Sequence, residues 1–142
     1  MEYTIKLECP PVLETKICSP QQVPLEYVQQ IFEDRFEERI YSINMNCKKD
    51  VLSHKLISVG TSTSAMCDVA KIARSAILSG ATSVILLHNH PSGDPTPSQS
   101  DFAITNKTKE ALNLFNINLD DHIIYGYDEL YSMRENTQEE FN

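Results

Sequence analysis

The chain is predicted to fold as a mixed α/β protein, a mixed sheet with helices on its faces. Three observations predict it. Residues 40–59 form two strand-like runs separated by a polar turn, as in a hairpin. Val84-Ile85-Leu86-Leu87 is short, uncharged and β-branched at its start, the pattern of a buried strand. Between and after these lie segments with apolar residues at helical spacing. Strands and helices thus alternate without strict strand–helix–strand order.

Each element has its own signal. Tyr3 to Glu8 alternates enough for a short strand, ended by Pro10-Pro11. Ser19-Pro20-Gln21-Gln22 has a helix start, with Ser as N-cap, Pro at the first position and Gln at the third. Pro24 lacks an N–H and distorts that turn, so regular helix is expected beyond it, with Leu25, Val28, Ile31 and Phe32 as its apolar stripe. Glu33 to Arg39 is a charged junction. Ile40 to Asn46 alternates, Lys48-Lys49-Asp50 turns, and Val51 to Val59 returns. Gly60 to Ser64 reads as a loop. Ala65 to Ser79 reads as a helix with Val69, Ile72, Ala73, Ala76 and Ile77 inward and Gly80 as its left-handed stop. The apolar strand follows, then a loop stiffened by Pro91, Pro95 and Pro97 around Gly93. A helix is expected from Ser98 to about Phe115, with Phe102, Thr105, Leu112 and Phe115 facing inward. Ile117 to Tyr125 is a strand, Gly126 to Glu129 a turn, and Leu130 to Met133 a last short strand. The polar tail from Asn136 to Asn142 is expected to fray.

Composition narrows the function. A length of 142 residues predicts one domain with a core that needs no staples. No apolar run approaches the ~20 residues of a membrane span, and MEYTIKLECPP lacks the layout of a signal peptide. The expected setting is cytoplasmic. Cys9, Cys18, Cys47 and Cys67 form no C-x-x-C pair, which predicts free thiols and argues against a zinc deaminase. A net charge of −8 opposes direct binding to nucleic acid, whose affinity comes largely from Lys and Arg.

The chemistry concentrates in Ser83 to Asp101, SVILLHNHPSGDPTPSQSD. His88 and His90 are two apart at a strand end, so both can face one point, while Asn89 faces away. Ser98 stands where a helix N-cap belongs, and Asp101 follows three residues later in the first turn. Two imidazoles and one carboxylate are what a catalytic zinc site takes, with the fourth position open to water. Asp94, between Gly93 and Pro95, reads as a turn former. Asp121-His122 enters an apolar strand, where His122 is either a satisfied core histidine or a hydrogen-bond partner of a ligand imidazole. His54, mid-strand with no His or Cys near it in sequence, is assigned no role.

His-Asn-His-Pro-Ser-Gly-Asp-Pro followed by Pro-Ser-x-x-Asp resembles the JAMM metalloprotease motif, H-x-H-x7-S-x2-D, in the form carried by the RadC-like JAB/MPN family. The resemblance runs from about Ser19 to about Glu135 and includes Glu38-Arg39, Ile57-Ser58-Val59-Gly60-Thr61, Asp121-His122-Ile123-Ile124 and Tyr131-Ser132-Met133-Arg134-Glu135. Val69-Ala70-Lys71 departs from the Pro-Arg-Glu that the family often carries there. The resemblance implies the JAB/MPN fold, a curved mixed sheet between helices with the layers of a cytidine deaminase. It makes the chain one RadC-like JAB/MPN domain over 1–142, with its core at about 19–135.

It further implies one Zn2+ held by His88, His90 and Asp101, a general base at Glu38, and an oxyanion donor at Ser98. From the residues alone, Glu33 and Glu37 compete with Glu38, and Ser98 is also a plain helix cap. The expected function is zinc-dependent hydrolysis of a peptide, amide or isopeptide bond. The substrate would be a peptide or an isopeptide-linked protein, although no insertion is long enough to suggest a grip on ubiquitin. The alternatives are a non-catalytic metal-binding interaction module, or a factor associated with DNA repair or mobile elements, an older label of the family that the charge opposes.

Overall fold

The computed structural model describes residues 23–32, 36–60 and 68–137. The strand expected over Tyr3 to Glu8, the helix start at Ser19, the competitor Glu33, most of the loop after Gly60, Cys9, Cys18, Cys67 and the end of the tail lie outside the described residues. Cys47 is an exposed free thiol.

Five strands form one sheet in the order β2-β1-β3-β4-β5. β1 (Arg39–Met45) and β2 (Val51–Val59) are the antiparallel arms of the expected hairpin. Lys49, at φ 65°, takes the left-handed position in the turn between them. β3 (Ser83–Asn89) pairs antiparallel with β1 and parallel with β4 (Asn118–Gly126), and β5 (Glu129–Ser132) folds back on β4. Every residue of β3 is buried, as a central strand covered on both faces requires.

Side-chain alternation sorts the core onto the two faces. Ile40, Val84, Leu86 and Leu119 pack with Ile72, Ala73 and Ala76 of α2 (Val69–Ser79) and with Ile104 and Leu112 of α3 (Gln99–Asn113). Ile43, Met45, Ile85, Leu87 and Ile123 face the other way, onto Tyr27 and Val28 of α1 (Leu25–Ile31) and onto Phe32. No described helix is long and apolar enough to cross a membrane.

Regular helix begins beyond Pro24, as expected, with Pro24 itself the N-cap of α1. Elsewhere, several expected boundaries and faces shift. α2 starts at Val69, because the Asp68 side chain accepts from the Lys71 N–H and caps it there, and Gly80 ends it at φ 71°. Ile77 is exposed on α2 and Phe115 lies exposed beyond the end of α3, while Ser75, Ile104 and Thr108 take inward positions. The last strand, expected through Met133, stops at Ser132, and the chain changes course there. It turns into α4 (Met133–Asn136), with Ser132 accepting from the Glu135 N–H. Ser132-x-x-Glu135 is an N-terminal capping pattern, a signal readable from the sequence.

Candidate metal centre

Three elements deliver the expected side chains to one end of β3. On β3, His88 shares a face with Leu86, the face that packs α2 and α3. Ile40 of β1 pairs with His88, and Glu38, two residues before Ile40, falls on the same face. Ser98 caps α3 with a complete capping box: its Oγ accepts from the Asp101 N–H at 3.2 Å, and its own N–H donates to Asp101 Oδ2 at 2.8 Å. The box turns Asp101 inward, to 1% exposure.

The result is a chain of contacts between carboxylates and imidazoles. Glu38 Oε1 lies 2.6 Å from His88 Nε2. Asp101 Oδ1 lies 3.1 Å from His88 Nδ1, and Asp101 Oδ2 lies 3.0 Å from His90 Nε2. His88 and Asp101 are buried, His90 and Glu38 half-buried, and Ser98 exposed at the rim. Donor atoms fall into two sets of three, each within 4.8 Å: Glu38, His88 and His90 toward the surface, and His88, Asp101 and His122 in the interior. His88 belongs to both, and the expected trio of His88, His90 and Asp101 spans them.

Whether this cluster suits a cation can be read from its protons. His90 Nδ1 lies 2.8 Å from the Asp94 carbonyl oxygen, which can only accept, so Nδ1 carries a proton. In a neutral ring, Nε2 is then a bare lone pair facing a carboxylate oxygen at 3.0 Å. That contact is favourable only with a positive charge between or on the partners. In the metal-free protein a second proton on the ring supplies it. Burial opposes the charged imidazoles of His88 and His90, but the Asp101 carboxylate beside both rings, with Glu38 on His88, outweighs it and raises both pKa values. Burial likewise opposes the Asp101 carboxylate, and the two imidazoles overcome it, holding its pKa far below the ordinary range. A divalent cation in place of those protons fits a donor set of two nitrogens and carboxylate oxygen.

A model of the RadC-like JAB domain matches residues 17–138. The chain belongs to the RadC-like JAB domain family. It is 38% identical over 125 residues to a UPF0758 protein of Chlorobaculum parvum, covering 88% of this chain and 56% of that one. Identity is 40% over 110 residues to a UPF0758 protein of Chlorobium chlorochromatii, covering 78% and 50%, and 33% over 120 residues to one of Methanosarcina acetivorans, covering 84% and 52%. The chain thus spans about half the length of these curated relatives, whose names state no activity. The mixed sheet flanked by helices is the architecture expected of a JAB domain.

This JAB domain recruits residues beyond the motif. Asn89 points away from His88, as expected, but it grips the strand that carries Glu38. Its Oδ1 accepts from Arg39 N–H at 2.7 Å and its Nδ2 donates to Glu37 O at 3.0 Å, while Gly60 N–H bonds Glu38 O. Asp94 holds the backbone turn and supplies the carbonyl that orients His90. His122 is fully buried, with its ring stacked 5.7 Å from that of His88, and burial drives its pKa down to about 3. The cue for His122 lay in a titratable Asp-His pair inside an apolar strand, which must find partners to be buried. His54 belongs to the opposite face, against Tyr27 and Tyr41, away from the centre. Beside His90, a cavity of about 280 Å³ opens between the Pro91–Gly93 turn and Tyr125, Gly126 and Tyr127.

Proposed function

We propose that this chain is a zinc-dependent hydrolase of peptide, amide or isopeptide bonds, working on a peptide or an isopeptide-linked protein in the cytoplasm. The observation that carries the reading is that Glu38, just before β1, lies against the same two imidazoles that Asp101 reaches from α3. Two carboxylates and two imidazoles meet there, and one of them, His90, also lines the neighbouring cavity.

His88, His90 and Asp101 would hold the cation, which when bound supplies a Lewis acid and a water activated near neutral pH. The remaining roles fall to the chain itself. Glu38 is half-buried at the mouth, within reach of substrate, and serves as the base that takes a proton from water and passes it to the leaving amine. The Ser98 hydroxyl accepts from Asp101 N–H, which leaves its own proton to donate to the developing oxyanion. The cavity beside His90 receives one side of the substrate chain, and Gly126 lets the Gly93 turn pack closely on β4 at its wall. A Cβ on Gly126 would come within 2.3 Å of the Gly93 carbonyl oxygen.

Metal analysis of protein purified without a metal-affinity tag tests the reading, together with hydrolysis of a fluorogenic peptide library. One equivalent of zinc, lost along with activity in His88→Ala, supports it. Absence of zinc after purification and after reconstitution overturns it. Stoichiometric zinc without hydrolysis favours the interaction module, and DNA retention that weakens with salt favours a nucleic-acid role.

A further inference from the structure

His122 and His88 each carry a buried ring nitrogen with no hydrogen-bond partner among the described residues, and the two rings face each other. The orphan atoms are His122 Nε2 and His88 Nδ1. The rings are nearly parallel, at 26° and 5.7 Å, and donor atoms of both residues lie within 4.8 Å. His122 sits on β4 opposite Leu86, diagonal to His88 on the shared face of a parallel strand pair.

The protons on His122 follow from its other nitrogen. Thr105 Oγ1 lies 2.7 Å from the Asp101 carbonyl oxygen and 2.8 Å from His122 Nδ1. A carbonyl only accepts, so the single hydroxyl proton goes to Asp101 O. The contact with His122 is then satisfied only if Nδ1 donates to Thr105. That tautomer leaves Nε2 as a bare lone pair, buried, needing a donor. His88 has the complementary need. A ring that coordinates through Nε2 carries its proton on Nδ1, and histidine ligands donate that proton to a partner. Asp101 Oδ1, 3.1 Å from His88 Nδ1, pairs with the ring by charge, but the contact lacks hydrogen-bond geometry and leaves the Nδ1 proton without an aligned acceptor.

We propose that His122 is the positioning residue for His88: one bridging water accepts the His88 Nδ1 proton and donates to His122 Nε2, and so turns His88 Nε2 toward the mouth of the site. Thr105 sets the tautomer of His122, and through its bond to the Asp101 carbonyl it ties both imidazoles to the first turn of α3. The inference rests on the metal-binding reading above and deepens it. The two can fail separately.

Zinc affinity measured by competition with a chromophoric chelator, together with 15N NMR of the imidazoles, tests it. His122→Phe keeps a stacked ring but no acceptor, and should lose roughly 10–100-fold in zinc affinity. His122→Gln, which restores an acceptor oxygen, should recover most of that. In the zinc-loaded wild type, His88 should carry its proton on Nδ1. Wild-type affinity in His122→Phe, equal losses in both variants, or a proton on His122 Nε2 would overturn the proposal. If His122→Phe does not fold, the nitrogen shifts of the wild-type protein decide. If the wild type binds no zinc, the metal reading falls. The His122 tautomer in the metal-free protein then stands as its own test: a bare Nε2 upholds the pairing and a protonated Nε2 ends it.

Discussion

Asp101 and Asp121 are both almost wholly buried, and both staple a helix start to the rest of the fold, yet their carboxyl groups are driven in opposite directions. Asp101 meets two imidazoles and one backbone N–H, and its pKa falls. Asp121 takes its hydrogen bonds from neutral donors, the Ser132 hydroxyl at 2.5 Å and the N–H groups of His122 and Arg134 at 2.8 and 2.9 Å, and the Arg134 charge adds only a smaller pull. Burial dominates there and lifts its pKa to about 6. The difference separates two uses of one side chain. The neutral donors around Asp121 close the β5–α4 corner. Asp101 sits among groups whose charge balance changes when protons are exchanged for a cation, which is what a metal ligand needs.

Breaking each carboxylate in turn should give opposite phenotypes. Asp101→Asn should lower zinc affinity by more than about 100-fold while the protein stays folded, by chelator competition and circular dichroism. Equal zinc binding in this variant would erase the distinction. Asp121→Ala strands three donors in the interior and should cost roughly 2–4 kcal/mol in urea unfolding, with one zinc still bound. A loss of zinc at full stability would reverse the two assignments.

Acid sharpens the contrast. The raised pKa of Asp121 means the folded chain takes up a proton between about 6 and the ordinary carboxylate range, where the unfolded chain does not. Wild type should therefore gain on Asp121→Asn as pH falls through that window, by on the order of 2–3 kcal/mol. His122 works the other way. Its pKa of about 3 keeps it neutral while the unfolded chain protonates below ~6.5, so its contribution is lost as pH falls from there toward 3. Urea titrations of wild type and Asp121→Asn across pH 7 to 4 read the difference. A flat difference would show that Asp121 does not titrate in this range. The smallest effect concerns the cap of α3. Ser98→Gly should cost a few tenths of a kcal/mol and Ser98→Ala about 1, by thermal unfolding. No cost in either variant would mean that the hydroxyl does not carry the cap.

Much of this was legible along the chain because it is local. The 40–59 hairpin, the apolar strand before His88, the Gly80 stop and the Ser98–Asp101 capping box depend on residues within one or two turns of each other. The capping box matters most, since the bond that starts α3 is also what turns Asp101 inward. Where local signals failed, a neighbour distant in sequence decided. Ile77 and Phe115 fit helical stripes but are left outside by the sheet, while Ser75 goes inward to bond Asn44 of β1. The choice among Glu33, Glu37 and Glu38 could not be made from the residues. Pairing of β1 with β3 brings Glu38 to His88, Asn89 holds it there, and Glu37 is left exposed.

By itself, then, the sequence determined the element types, the stiff loop and the ligand-type residues at the end of one strand, since each follows from the spacing of near neighbours. Only the tertiary structure brought a carboxylate fifty residues earlier to 2.6 Å from His88 and stacked a histidine of the parallel strand beside it. Strand register is a cooperative property of the whole sheet, and it alone sets which distant side chains share a face.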